Sequence, residues 1–163
     1  MWTPAYVALG SNLDTPRSQV LNGFTQLARL DGTRLLARSS LYSSTPLGPQ
    51  EQPDFVNAVA GLITTMPARQ LLSELKDLER IIGREQPIVR WGPRRIDFDL
   101  LVYGDAQVNE TDLVIPHPGI PQRNFVLYPL CDIAPELVIP GLGRVRDLAK
   151  CVSPIGLQVF PGE

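Results

Sequence analysis

Histidine is almost absent from this chain. His117 is the single one, which excludes zinc sites built on two histidines and the H-E-x-x-H protease motif. Cysteine is nearly as scarce: Cys131 and Cys151 form no C-x-x-C pair and are read as inert, reduced packing residues. No apolar run approaches the ~20 residues of a membrane-spanning helix, so no membrane contact is expected. The first five residues, Met-Trp-Thr-Pro-Ala, carry neither the basic nor the apolar region of an export signal, and a cytoplasmic location is expected. Charge of one sign is also lacking. Fifteen basic against 17 acidic residues give a net charge of −2, which argues against a nucleic-acid binder working through a basic face. There is no G-x-x-x-x-G-K-[ST] phosphate loop, and Gly10-Ser-Asn-Leu13 is too short for a dinucleotide fingerprint.

What is present fits one folded domain over residues 1–163: 44% apolar and 20% charged residues are ordinary globular values, and the length supports one core. The 16 prolines and 13 glycines cluster in loops without repeating. A short apolar run at 5–10 reads as a first strand, and Asp14-Thr15-Pro16 as the start of a helix with Val20, Leu21, Phe24 and Leu27 as its apolar stripe. Residues 33–43 alternate, with Leu35, Ala37, Ser39 and Leu41 on one face, and read as a second strand. After a proline-rich loop, 55–64 is a third strand. Pro67 opens a second helix carrying Leu71, Leu72, Leu75, Leu78 and Ile82 until Gly83 stops it, and 96–103 is a fourth strand. The order β-α-β-β-α-β predicts an α+β fold with a ferredoxin-like core, an antiparallel-rich sheet and both helices packed on one face. A hairpin over 104–115, a short helix near 123–130 and weaker elements after Pro140 form a C-terminal elaboration of that core.

The chemistry concentrates in Arg90-Trp-Gly-Pro-Arg-Arg-Ile-Asp-Phe-Asp99. On a strand, Asp97 and Asp99 point to one face while Ile96, Phe98 and Leu100 point to the other. Two carboxylates about 7 Å apart repel unless a cation or basic group lies between them. Oxygen ligands without nearby Cys or His select magnesium over zinc, and magnesium on one or two carboxylates completes its shell with water and phosphates. Arg84, Arg90, Arg94 and Arg95 offer planar donors for phosphate oxygens. The same D-x-D also describes the solvated face of an edge strand salt-bridged to arginines, and Glu79 the rim of its helix. Phe55 and Asn57 place a ring and an amide on one strand face after the stiffened loop Ser44-Thr-Pro-Leu-Gly-Pro-Gln50, an arrangement suited to a planar heterocycle. If the third and fourth strands are neighbours, that face runs on into Asp97 and Asp99. His117 is held between Pro116 and Pro118 as a candidate phosphate contact, while Arg123 and Phe125 extend the basic and aromatic linings.

Seven segments in collinear order, from about residue 5 to 140, carry a resemblance to a known family. They are Val7-Ala-Leu-Gly-Ser-Asn-Leu13, Leu41-Tyr-x-x-x-Pro-Leu-Gly48, Phe55-x-Asn-Ala58, Glu79-x-x-x-Gly-Arg84, Trp91-Gly-Pro-Arg-x-Ile-Asp-Phe-Asp-Leu-Leu101, Ile115-Pro-His-Pro118 and Arg123-x-Phe-Val-Leu-x-Pro-Leu130. Together they resemble the 6-hydroxymethyl-7,8-dihydropterin pyrophosphokinases of folate biosynthesis, which move the β,γ-diphosphate of ATP to the pterin's hydroxymethyl oxygen and release AMP. The resemblance implies that Asp97 and Asp99 hold two magnesium ions, with ATP as co-substrate. It assigns Arg84 and Arg94 to a loop closing over the triphosphate, with Asp97 the one candidate for a general base. Phe55 and Phe125 are implied to sandwich the pterin, and Asn57 with backbone groups of Ser44, Pro46 and Leu47 to read its edge. Trp91 matches the lid aromatic beside both substrates, and Glu79, His117 and Arg123 match nucleotide contacts. Expected partners are therefore small molecules, with no nucleic acid and no membrane, acting on a monomer. A non-catalytic ferredoxin-like binding module is the alternative; it leaves the D-x-D unexplained. The last twenty residues match weakly and carry no assigned role.

Overall fold

A computed structural model describes residues 1–13, 15–45, 54–83 and 96–160. In chain order its elements are β1 (Thr3–Ser11), α1 (Pro16–Ala28), β2 (Thr33–Arg38), β3 (Tyr42–Ser44), β4 (Phe55–Thr64), α2 (Ala68–Gly83), β5 (Asp97–Tyr103), β6 (Val108–Glu110) and β7 (Leu113–Ile115). A 3-10 turn at Ile120–Gln122 leads into α3 (Asn124–Ile133), β8 (Val138–Ile139), β9 (Gly143–Arg144), α4 (Val145–Lys150) and β10 (Leu157–Val159). Strands β10-β3-β4-β1-β5 form the main sheet in that order, β2 also pairs with β4, and every pairing is antiparallel. The architecture is mixed α/β, with an antiparallel sheet and four helices among the described residues.

Each face of the sheet has its own helices. On one face Val20, Phe24 and Leu27 of α1 and Leu71 and Leu75 of α2 bury against Val7, Leu9, Phe98 and Leu100. These helical residues recur at the three-to-four spacing of one stripe, so a single apolar face docks each helix. On the other face Val126, Leu127 and Leu130 of α3 pack with Val59, Leu101 and Val102. Among the described residues α3 therefore covers one end of the second face, and Gly10 and Asp97 lie at the other. Asp14, the expected cap of α1, lies outside the described residues.

The expected second strand is two strands. Between Leu35 and Ala37 the register slips against β4, with Leu35 opposite Leu62 and Ala37 opposite Gly61. The extra residue, Leu36, is 63% exposed. That bulge sends Leu35 to the α1/α2 core, while Ala37 joins Gly61 on the α3 face, so the two do not share a face as expected. Regular pairing then ends at Ser39. Its N–H still donates to the Val59 carbonyl at 2.9 Å, but the Val59 N–H is taken by the Ser39 hydroxyl oxygen at 2.8 Å instead of a backbone carbonyl. Elsewhere the expected helix at 123–130 runs on to Ile133, and the expected hairpin is β6–β7.

Phe98 is fully buried between β1 and the two helices that cover its face. Phe98→Ala is expected to lower unfolding stability by about 3–5 kcal/mol, because the surrounding helices cannot fully collapse into the space. Urea unfolding followed by circular dichroism measures it.

Candidate active site

Antiparallel pairing brings four residues into one row across the sheet. Tyr42 pairs with Asn57, Asn57 with Gly10, and Gly10 with Asp97. Directly paired residues share a face, so Tyr42, Asn57 and Asp97 all project from the side that α3 partly covers. The expectation that β4 and β5 are neighbours is not met: β1 lies between them. The face is nevertheless continuous, because Gly10 fills the intervening position without a side chain. A Cβ there would come within 3.2 Å of Asn57 Oδ1 and 3.7 Å of Phe55 Cδ1. Glycine thus leaves a trough between the amide of Asn57 and the carboxylate of Asp97, about 10 Å apart across two strand spacings. The next row, Val59–Ala8–Asp99, sets Asp99 beside Asp97 on the same face, with Phe98 between them turned inward.

At the amide end, Ser44 sits opposite Phe55, and Asn57 Nδ2 donates to Ser44 Oγ at 2.6 Å, both residues being buried. That bond holds the amide's nitrogen, while its oxygen lies over the space above Gly10. Tyr42 closes the row: its hydroxyl donates to Asp132 of α3 at 2.8 and 2.9 Å, and burial followed by Asp132 pushes the phenol's pKa up. Phe125, near the start of α3, packs against the same cluster as Ala8 and Tyr6. Ser44, Thr45 and Phe125 line a cavity of about 570 Å³ together with Pro121, Gln122 and Asn124.

At the carboxylate end, the open edge of β5 is held by two side chains of α2. Glu79 accepts the Phe98 N–H at 2.6 Å, and Lys76 donates to the Phe98 carbonyl at 3.3 Å and to Glu79 at 3.2 Å. Glu79 is therefore more than the rim residue considered above. Burial pushes its carboxyl up from the ordinary value, against the pull of Lys76 and the Phe98 N–H, and the Asp99 charge pushes the same way as burial. Lys76 is a residue that the sequence reading missed; its position three residues before Glu79 on one helix face was the available signal.

His117 is tied down at both ends. Its N–H donates to the Leu101 carbonyl at 2.9 Å, where β5 carries one extra residue between the pairs Val7–Leu100 and Tyr6–Val102. Its Nδ1 accepts the Gly119 N–H at 2.9 Å, which assigns the neutral tautomer with Nε2–H available to donate. Burial lowers its pKa; Asp99 opposes, and Arg123 and Lys76 add to the lowering. Arg123 crosses close over Gly119, where a Cβ would stand 2.6 Å from its Nε, and its guanidinium lies 5.8 Å from the Phe125 ring centroid. The site thus joins two carboxylates, a neutral imidazole and a guanidinium at one end with an amide and two rings at the other. Pro46, Leu47, Arg84, Arg90, Trp91, Arg94 and Arg95, and with them the loop expected to close over the triphosphate, lie outside the described residues. No group of three or more His, Cys, Asp or Glu side chains able to hold a metal occurs among the described residues.

A family model described as 7,8-dihydro-6-hydroxymethylpterin-pyrophosphokinase matches residues 6–135, which contain every side chain named above for this site. The chain belongs to that family. Among the curated pyrophosphokinases, the 2-amino-4-hydroxy-6-hydroxymethyldihydropteridine pyrophosphokinase of Haemophilus influenzae is 44% identical over 146 residues, covering 90% of this chain and 91% of the relative. That of Pseudomonas aeruginosa is 43% identical over 157 residues, covering 96% of each. In solved structures the fold matches an HPPK-DHPS in complex with substrates at a TM-score of 0.70 and 14% identity, covering 91% of this chain and 45% of that one. A Plasmodium falciparum HPPK-DHPS triple mutant matches at 0.74 and 14%, covering 92% of this chain and 41% of that one. The chain spans less than half the length of these two structures, and at such identity they speak to the fold alone.

In this pyrophosphokinase-family chain the lowered His117 pKa has a stability consequence. The unfolded chain takes up a proton near the ordinary value of 6.5, whereas the folded chain resists it. The contribution is present in full above that value and declines as pH falls below it. Urea titrations from pH 5 to 8 in chelator should show that decline flattened in His117→Asn, whose Oδ1 still accepts the Gly119 N–H.

Proposed function

We propose that this chain transfers the diphosphate of ATP to the hydroxymethyl oxygen of 6-hydroxymethyl-7,8-dihydropterin, releasing AMP, as a step of folate biosynthesis. The observation that carries the reading is the Tyr42–Asn57–Gly10–Asp97 row, which sets a recessed amide and a carboxylate on one face in a chain of this family. A non-catalytic binding module is not favoured, since the family and its curated relatives are named as pyrophosphokinases. We read the β1-α1-β2/β3-β4-α2-β5 core as ferredoxin-like and the residues after Tyr103 as an elaboration within one domain. We read the chain as a monomer acting in the cytoplasm.

We assign the roles that membership of the family implies. Phe55 and Phe125 stack on the two faces of the pterin. Asn57 Oδ1, freed by the Nδ2 bond to Ser44, accepts an N–H from the heterocycle's edge, with backbone groups of Ser44, Pro46 and Leu47 completing the recognition. Asp97 and Asp99 fit magnesium: they are hard oxygen donors on one face, too few to enclose an ion, so water and phosphate oxygens fill the remaining positions. Two magnesium ions, when bound, neutralise the triphosphate and polarise it for in-line attack. Arg84 and Arg94 supply forked donors to the phosphates, with Trp91 against both substrates. Glu79 fixes the strand bearing the carboxylates, and His117 Nε2–H and Arg123 donate toward the nucleotide. The pterin oxygen bonds the β-phosphorus, the bond from that phosphorus to the α-phosphate oxygen breaks, and Asp97 is the candidate acceptor for the hydroxyl proton.

Three outcomes test this. Protein, MgATP and the hydroxymethyl-dihydropterin should yield AMP in proportion to pterin; ADP alone, or no pterin-dependent turnover, refutes the reaction. Asp97→Ala and Asp99→Ala should each lower kcat by about 1,000-fold while circular dichroism stays native. Arg84→Ala and Arg94→Ala should cost about 100-fold or more in kcat with little change in pterin Kd, and a parallel collapse of that Kd removes their phosphate role.

A further inference from the structure

The residues after 135 fall outside the family match, yet they return to the site. β10 pairs with β3, placing Leu157 opposite Ser44, and the Thr45 N–H donates to the Gly156 carbonyl at 3.3 Å. On its other flank the same segment is gripped by α3. Asn124 Nδ2 donates to the carbonyls of Ser153 and Ile155 at 2.8 and 3.0 Å, and the Tyr128 hydroxyl donates to the Val152 carbonyl at 3.1 Å. Asn124 directly precedes Phe125, and Ser44 directly faces Phe55. The strap 151–157 thus ties α3, which carries Phe125, to β3, the strand paired with the Phe55 end of β4. It also lines the cavity shared with Ser44, Thr45 and Phe125, through Cys151, Val152, Ser153, Ile155 and Gly156.

We propose that this C-terminal strap is a wall of the pterin site, and that Asn124 is a positioning residue that fixes the separation of the Phe125 and Phe55 sides. The inference rests on the pterin reading above. A planar ring held between two others needs a gap of defined width, and here a short chain ties the Phe125 helix to β3, the strand beside Phe55. Loss of the Asn124 donors releases the α3 anchor and leaves the β3 anchor intact. The pterin side of the site then loosens, while the carboxylates on β5 keep their register with β1.

The test has two arms. In the first, Asn124→Ala should raise pterin KM about tenfold, with kcat and ATP KM within twofold of wild type. The second arm uses wild-type protein with magnesium and a non-hydrolysable ATP analogue. Iodoacetamide labelling is followed by mass spectrometry with and without 6-hydroxymethyl-7,8-dihydropterin. Exposed Cys151 on the strap should be alkylated at least fivefold more slowly with the pterin present, while the half-buried Cys131, whose thiol burial pushes up, serves as the unprotected reference. Active wild type with an unchanged pterin KM in the variant, or with an unprotected Cys151, overturns the strap and leaves the proposed reaction standing. A variant that loses ATP and pterin parameters alike assigns Asn124 to general folding and overturns its positioning role. Protection of Cys151 without turnover supports the strap and refutes the reaction. Absence of pterin binding refutes both.

Discussion

Everything at the site depends on the register of β1 with its two neighbours. Side chains on a strand alternate between faces, so a one-residue slip of β1 against β5 would carry Asp97 from the open face into the core occupied by Phe98. The register is held by the alternation itself. Val7 and Leu9 must meet the helices on one side, which commits Ala8 and Gly10 to the other. Gly10 then becomes part of the site by what it omits. Its neighbours across the ladder carry the amide and the carboxylate, and the missing Cβ leaves the space that both can address.

The charged groups are organised around the same strand. Asp97 and Asp99 project from its open face, and Lys76 and Glu79 occupy its edge. His117 hangs from its extra residue through the Leu101 carbonyl. Burial disfavours charge on both Glu79 and His117, raising the first and lowering the second, so Asp99 stands between groups that resist ionisation.

Features governed by periodicity were legible in the sequence. The D-x-D alternation placed both carboxylates on one face, the leucine spacing of α2 set its buried stripe, and the Phe55–Asn57 pairing fell on one face. The relation between Asn57 and Asp97 was not legible, because it depends on β1 lying between β4 and β5, and strand order is set by nonlocal pairing. The break at Ser39 was hidden for a different reason: Ser39, Ser40 and Leu41 continue the alternation, and only the hydroxyl's capture of the Val59 N–H ends the pairing. Lys76 looked like any exposed helical lysine, since its partner is a backbone carbonyl far away in sequence. The role of Asn124 is likewise invisible until residues 153 and 155 are placed beside it.

The side chains on β5's edge bear on a matter remote from catalysis. An outer strand with free N–H and C=O groups is a template on which a second molecule can extend the sheet, and natural proteins blunt such edges with charge. Here Glu79 and Lys76 engage the outward N–H and C=O of Phe98, occupying the hydrogen-bonding positions a neighbouring strand would use. The strand that carries both carboxylates is thereby blunted as a template for sheet extension, and the two blocking groups come from a single turn of α2.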